Sequence, residues 1–217
     1  MAPSLIFDFD GTLALGNGPV RAYARAIEPH ARPGFMRRID DHLAALSSDN
    51  SPCRDGYHAV ALEAQRDGVD QQTMNAAYTA SREQLGTPDA PVELSEGLAD
   101  WLREQSRKAR ISLATNAPST GIDALLERWG IRQFFTELNF ELGKPEGMKR
   151  VVATYLADGP VLSIGDIADY DLVPARDLGA ATALVGPRHD HSDFAADFHG
   201  ATVMDIAGAL TAWIDSF

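Results

Sequence analysis

The segment Ser4-Leu5-Ile6-Phe7 is short and apolar, and it breaks abruptly into Asp8-Phe9-Asp10-Gly11-Thr12. A strand covered on both faces, as in a parallel sheet, carries such an unalternating apolar run and stops at turn residues. Runs of the same kind recur at Ile111 to Ala114, Val161 to Ile164 and Ala181 to Val185. Helical patterns lie between them. Ile122, Leu125, Leu126 and Trp129 follow i, i+3, i+4, i+7 spacing, with Gly130 placed as a C-terminal stop, and Met148, Val151, Val152 and Tyr155 repeat the pattern. Strands alternating with helices predict an α/β fold, a Rossmann-like doubly wound parallel sheet.

From Leu15 to Pro91 the pattern changes to helical stripes with no convincing strand. Val20, Tyr23, Ala24 and Ile27 form one stripe, opened by Pro19 and closed by Pro29. Met36, Ile39, Leu43 and Leu46 form a second, and Tyr57, Val60, Ala61 and Ala64, ending at Gly68, a third. Met74, Ala77, Tyr78 and Leu85 form a fourth, with Asp70 as N-cap and Gly86 as stop. Thr87 to Pro91 reads as a stiff hinge. The expected organisation is an α/β core over residues 1–14 and 92–217, interrupted by a helical insert over residues 15–91.

Composition narrows the function classes. With 217 residues, 45% hydrophobic and 23% charged, the chain can bury a core and is not wholly disordered. A formal net charge of −12 disfavours nonspecific binding to nucleic acid or to an anionic membrane. Cys53 is the only cysteine, so no intramolecular disulfide forms, and a reducing compartment is expected. The start lacks a basic leader and no apolar run reaches membrane-spanning length, so the expectation is a cytoplasmic protein, monomer or homodimer.

Candidate chemistry sits where the strands end. In an extended chain Asp8 and Asp10 point the same way, bringing two carboxylates over the crevice beyond the strand ends. Gly11 lets the backbone turn and approach an anion closely. Thr115-Asn116 follows the second run ahead of a helix starting near Ser119, Lys144 precedes a helix in Gly143-Lys144-Pro145, and Asp166 and Asp171 follow the third run. Each has a plainer reading alone: a turn, a helix cap, a surface lysine, an N-capping aspartate. His189-Asp190-His191, Asp40-Asp41-His42 and Arg54 read as solvated surface, and Gly16-Asn17-Gly18 lacks the third glycine of a dinucleotide loop.

Their order is more informative than any one of them. Asp8-Phe9-Asp10-Gly11-Thr12, Thr115-Asn116, Lys144-Pro145 and Gly165-Asp166 with Asp171 together resemble the four motifs of the haloacid dehalogenase-like superfamily. The helical insert resembles that superfamily's C1-type cap. The resemblance implies that Asp8 attacks phosphorus and forms an aspartyl-phosphate, while Asp10 acts as general acid and then general base. It implies Mg²⁺ held by Asp8, the carbonyl of Asp10 and Asp166, with Asp171 a more distant or water-mediated ligand. Thr115 and the N–H of Asn116 would bind the phosphoryl oxygens, and Lys144 would neutralise the nucleophile–phosphate pair.

Asp10 points to phosphoryl chemistry, because dehalogenating relatives lack an acid there. A phosphonate-cleaving activity would need a cap lysine, and the chain has none before Lys108. Leu15 and Gly16 depart from the Asp-Ser pair common after the first motif, which leaves cap-hinge contacts and substrate guesses by analogy in doubt. The expected function is a Mg²⁺-dependent phosphatase acting on a small phosphorylated metabolite. A phosphomutase of the same fold is the alternative, and a non-catalytic phosphate-binding protein a more distant one.

Overall fold

The computed structural model describes residues 1–48 and 51–217. In chain order the elements are β1 (Ser4–Phe7), α1 (Gly18–Ile27), α2 (Phe35–Ala45), α3 (Gly56–Asp67), α4 (Gln71–Glu83), α5 (Leu98–Gln105) and β2 (Arg110–Ala114). They continue with α6 (Ile122–Arg128), β3 (Glu137–Asn139), α7 (Glu146–Leu156), β4 (Val161–Gly165), α8 (Val173–Arg176), β5 (Ala181–Leu184), β6 (Phe198–His199) and α9 (Ala207–Ile214). The chain divides into two compact units: residues 1–15, 94–119 and 126–217, and residues 16–93 with 120–125.

The first unit is built on a six-stranded sheet in the order β3-β2-β1-β4-β5-β6, every neighbouring pair parallel. All four residues of β1 are buried, as are all five of β4, which is why these runs do not alternate. β1 lies between β2, with Leu5 opposite Ile111, and β4, with Leu5 opposite Leu162. The chain therefore winds outward in both directions from β1, and the gap between β1 and β4 is the point where strand order reverses. Ligands of open α/β sheets bind beyond the carboxyl ends of the strands at such a point. Ile6, Ala114, Met148, Val152, Tyr155 and Val161 pack together beneath it, so α7 docks through the stripe its spacing predicts.

The second unit is helical, and its helices carry their own punctuation. Pro19 occupies the first turn of α1, where its missing N–H costs nothing. Asp55 accepts from the His58 N–H to open α3, and Asp70 accepts from the Thr73 N–H at 2.9 Å to open α4. Gly68 closes α3 with φ +84°, a left-handed conformation that suits glycine. The unit's core joins Val20, Tyr23, Ile27, Phe35, Ile39, Val60, Ala64 and Met74, all but Phe35 drawn from the four expected stripes. Three side chains that read from the sequence as solvated surface make contacts within the unit. Asp40 pairs with Arg21, His42 bonds the buried Glu63, and Arg54 pairs with Asp55.

Residues 120–125, including the start of α6, group with the helical unit, although the division read from the sequence ends at residue 91. The backbone explains one part of this: Gly121 has φ +77°, and a Cβ there would lie 2.6 Å from the Arg82 carbonyl oxygen. α6 itself begins at Ile122, not near Ser119. No helix among the described residues is long and apolar enough to cross a membrane.

Candidate active site

β1 delivers Asp8 one residue past its end, still bonded into the sheet through its N–H to the Ile164 carbonyl at 2.9 Å. The backbone then folds on itself: the N–H of Gly11 reaches the Ala14 carbonyl, and those of Thr12, Leu13 and Ala14 converge on the Phe9 carbonyl. Gly11 has φ +84°, and a Cβ there would stand 2.3 Å from Asp166 Oδ2. The positive φ disfavours any side chain there, and the space beside Asp166 is tight. Gly186, after β5, closes on Asp166 from another direction, where a Cβ would lie 3.1 Å from that of Asp166 at φ +88°.

Asp171 lies in the π-helical turn Ala168–Leu172 that follows β4. Its carbonyl accepts from the Ser163 hydroxyl at 2.8 Å, and its Oδ2 accepts from the Ile167 N–H at 3.1 Å. Gly165 makes room for it, since a Cβ there would fall 2.4 Å from the Asp171 side chain. Lys144, from the loop after β3, sends its ammonium to 2.6 Å from Asp8 Oδ1 and 2.6 Å from Asp171 Oδ1. Its side chain is 2% exposed.

The electrostatics follow from this packing. Burial pushes the Asp8 carboxyl up to about 7; Lys144 opposes the rise, and the nearby Asp171 and Asp10 add to it. Burial alone would push the Lys144 ammonium down, but the charges of Asp171 and Asp8 and their hydrogen bonds outweigh it. Lys144 is thus held as a cation while Asp8 remains poorly compensated.

Asp8, Asp166 and Asp171 each offer a carboxylate oxygen, and these oxygens lie within 4.8 Å of one another. Lys144 contacts two of these three carboxylates, Asp8 and Asp171. An all-oxygen donor set fits a hard cation such as Mg²⁺. Asp10, partly exposed, is not part of this side-chain cluster.

Thr115 is buried, and its hydroxyl accepts from the Ala117 N–H at 3.1 Å, shaping the turn after β2. Asn116 is exposed, and its Oδ1 accepts from the backbone N–H of Lys144 at 2.7 Å. The sequence motifs gave no sign of this side-chain contact, nor of Gly186, because each depends on a partner distant in the chain. His189 bonds the Gly186 carbonyl through Nδ1 and pairs with Asp190 through Nε2.

No family model and no curated protein matches the chain. Solved structures do. A HAD-hydrolase from Bacillus subtilis, YfnB, described as bound to magnesium, superposes with a TM-score of 0.66 at 15% identity, covering 97% of this chain and 99% of its own. The chain has the haloacid dehalogenase-like fold. A HAD phosphatase from Thermococcus onnurineus shares this fold at TM-score 0.55 and 16% identity, covering 96% of this chain and 97% of its own. So does a 2-haloacid dehalogenase from Pseudomonas syringae pv. Tomato, at 0.60 and 16%, covering 98% and 100%. The fold therefore accommodates more than one chemistry, and the side chains at the strand ends must decide between them.

Proposed function

We propose that the chain is a Mg²⁺-dependent phosphatase that hydrolyses a small phosphorylated metabolite through an aspartyl-phosphate on Asp8. The observation that carries this reading is the buried Asp8 carboxylate, 2.6 Å from Lys144, in a cluster with Asp166 and Asp171 at the switch point of the sheet. The magnesium described for the B. subtilis neighbour and the phosphatase neighbour support it by analogy of fold. Asp10, two residues past Asp8, favours phosphoryl transfer over dehalogenation, since a general acid has work to do on an oxygen leaving group and none on a halide.

In this mechanism an Asp8 carboxylate oxygen forms a bond to phosphorus as the bond to the leaving oxygen breaks. Asp10 gives its proton to that oxygen. Asp10, now a carboxylate, takes a proton from water as the water oxygen attacks phosphorus, and inorganic phosphate leaves with Asp8 restored. Thr115 and Asn116 place hydrogen-bond donors beside the phosphoryl oxygens, and Lys144 opposes the charge that builds between nucleophile and phosphate. Asp8, Asp166, Asp171 and the Asp10 carbonyl would hold the metal, which when bound supplies positive charge against the phosphoryl oxygens.

The test is hydrolysis of an aryl phosphate by purified protein, with and without a chelator, followed by mass spectrometry of the peptide containing Asp8 after rapid quench. Turnover in Mg²⁺ that disappears in EDTA, with a phosphate mass on Asp8, is the expected result. Full turnover after exhaustive chelation, or adduct on another residue, overturns the assignment.

A further inference from the structure

Lys144 reaches Asp8 and Asp171 on a four-carbon arm, so the ammonium's position depends on where the arm is rooted. That root lies in a loop tied to the turn after β2. The Leu142 N–H reaches the Thr115 carbonyl at 3.1 Å, and the Glu141 N–H reaches the Ala117 carbonyl at 3.0 Å. The backbone turns through left-handed conformations at Glu141 (φ +46°) and at Gly143 (φ +66°), just before the lysine. These main-chain ties stop two residues short of Lys144. The contact that completes the lacing is the Asn116 side chain, whose Oδ1 takes the N–H of Lys144 itself at 2.7 Å.

We infer that Asn116 is a positioning residue that fixes the root of Lys144 and so sets the ammonium against Asp8 and Asp171. Residue 116 then acts twice in the proposed phosphatase, on which the kinetic part of this inference rests. In that reading its main-chain N–H serves the phosphoryl group, and its side chain holds the cation beside Asp8. Binding of the anion and placement of the compensating charge are joined at one residue. A short motif could not reveal this connection, since the side chain's partner, Lys144, lies 28 residues on.

Two measurements separate this from a general stabilising role. The chain has three lysines, and the side chains of Lys108 and Lys149 are 48% and 42% exposed against 2% for Lys144. A short pulse of acetic anhydride on the full chain, read by mass spectrometry, reports on all three at once. Asn116→Ala is expected to raise acetylation of Lys144 by about 3- to 10-fold, the loss of one hydrogen bond, with Lys108 and Lys149 unchanged. Asn116→Asp, which keeps an acceptor at the same reach, is expected to restore protection. Asn116→Ser, too short to span the gap, substitutes should the Ala variant not fold.

In the kinetic arm, Asn116→Ala is expected to lower kcat on an aryl phosphate by about 3- to 10-fold, with KM changed by less than about threefold. Placed in a Lys144→Ala background, it is expected to cause no further loss, because its effect passes through the lysine. Unchanged Lys144 labelling, a rise at all three lysines together, or losses that multiply in the double variant would each overturn the inference. Absence of turnover in the unaltered protein would sink the phosphatase reading instead, and the labelling result would still decide whether Asn116 holds the lysine.

Discussion

Each unit of this molecule buries a carboxylate among charged neighbours, and the two acids are driven in opposite directions. In the helical unit Glu63, with its side chain 4% exposed, accepts from Arg38 Nε at 2.6 Å, Arg66 Nη1 at 2.5 Å and His42 Nε2 at 3.0 Å. Burial pushes Glu63 up, but these bonds outweigh it and bring the carboxyl down to about 2. In the α/β unit Asp8 has one cation, shares it with Asp171, and rises to about 7. A carboxylate with a surplus of donors is a fastening. One short of positive charge is a place where something positive belongs.

The sharpest way to break this contrast is to neutralise each acid in turn. Asp8→Asn is expected to reduce hydrolysis of an aryl phosphate by about 10⁴-fold or more and to leave no covalent adduct, because an amide cannot serve as the nucleophile. Glu63→Gln is expected to leave kcat within about twofold while lowering unfolding free energy by about 1–3 kcal/mol, measured by urea denaturation. Large activity loss in Glu63→Gln would mean that the helical cluster is no mere fastening.

Asp10→Asn should fall between these. Hydrolysis drops by about 10²–10⁴-fold, yet with a good leaving group the phosphate is expected to accumulate on Asp8, since transfer proceeds and water lacks its base. Rapid-quench mass spectrometry that finds no adduct in this variant would remove Asp10 from the second half-reaction.

Ionic conditions sharpen the contrast further. Asp8 is raised above its ordinary 3.8, so the folded state keeps a proton that the unfolded state has lost. Its contribution to the metal-free protein therefore declines as pH climbs from about 4 to about 7. Mg²⁺ at about 100-fold above its dissociation constant is expected to raise the melting temperature at pH 7.5 by about 5–10 °C. Asp166→Asn should weaken that response severalfold, since an amide is a poorer ligand for a hard cation. A melting curve indifferent to Mg²⁺ at pH 7.5 would show that the deficit at Asp8 is not met by a metal. Glu63 has the opposite sign, with its stability present above its ordinary 4.5 and lost as pH falls through about 2. This is the smallest effect in the neutral range and is visible only in acid titrations.

Much of this architecture could be read from local signals. Pro19, Asp70 and Gly68 mark helix ends through their own backbone chemistry, and Asp8 follows directly from the apolar run of β1. β3 was not legible, because Glu137-Leu138-Asn139 holds one apolar residue and is extended through its pairing with Ser112 to Ala114. β6, two residues long, has the same cause in its pairing with Ala183 and Leu184. The roles of Thr115 and Lys144 were weak alone and gained force only from their order. Asn116 was anticipated for its main chain, and its side-chain grip on Lys144 needed coordinates to appear.

The strand order has a consequence for how the molecule is made. β1 is synthesised first, yet its neighbours in the sheet, β2 and β4, begin at Arg110 and Val161. Through the whole synthesis of the helical unit it has no strand to pair with. The helices between can collapse on their own core meanwhile, as units of a growing chain do. Asp8 thus waits until Lys144 and then Asp171 leave the ribosome before its surroundings exist. A nascent chain halted anywhere before residue 171 carries the Asp8 carboxylate without its setting, so the assembled cluster arrives late.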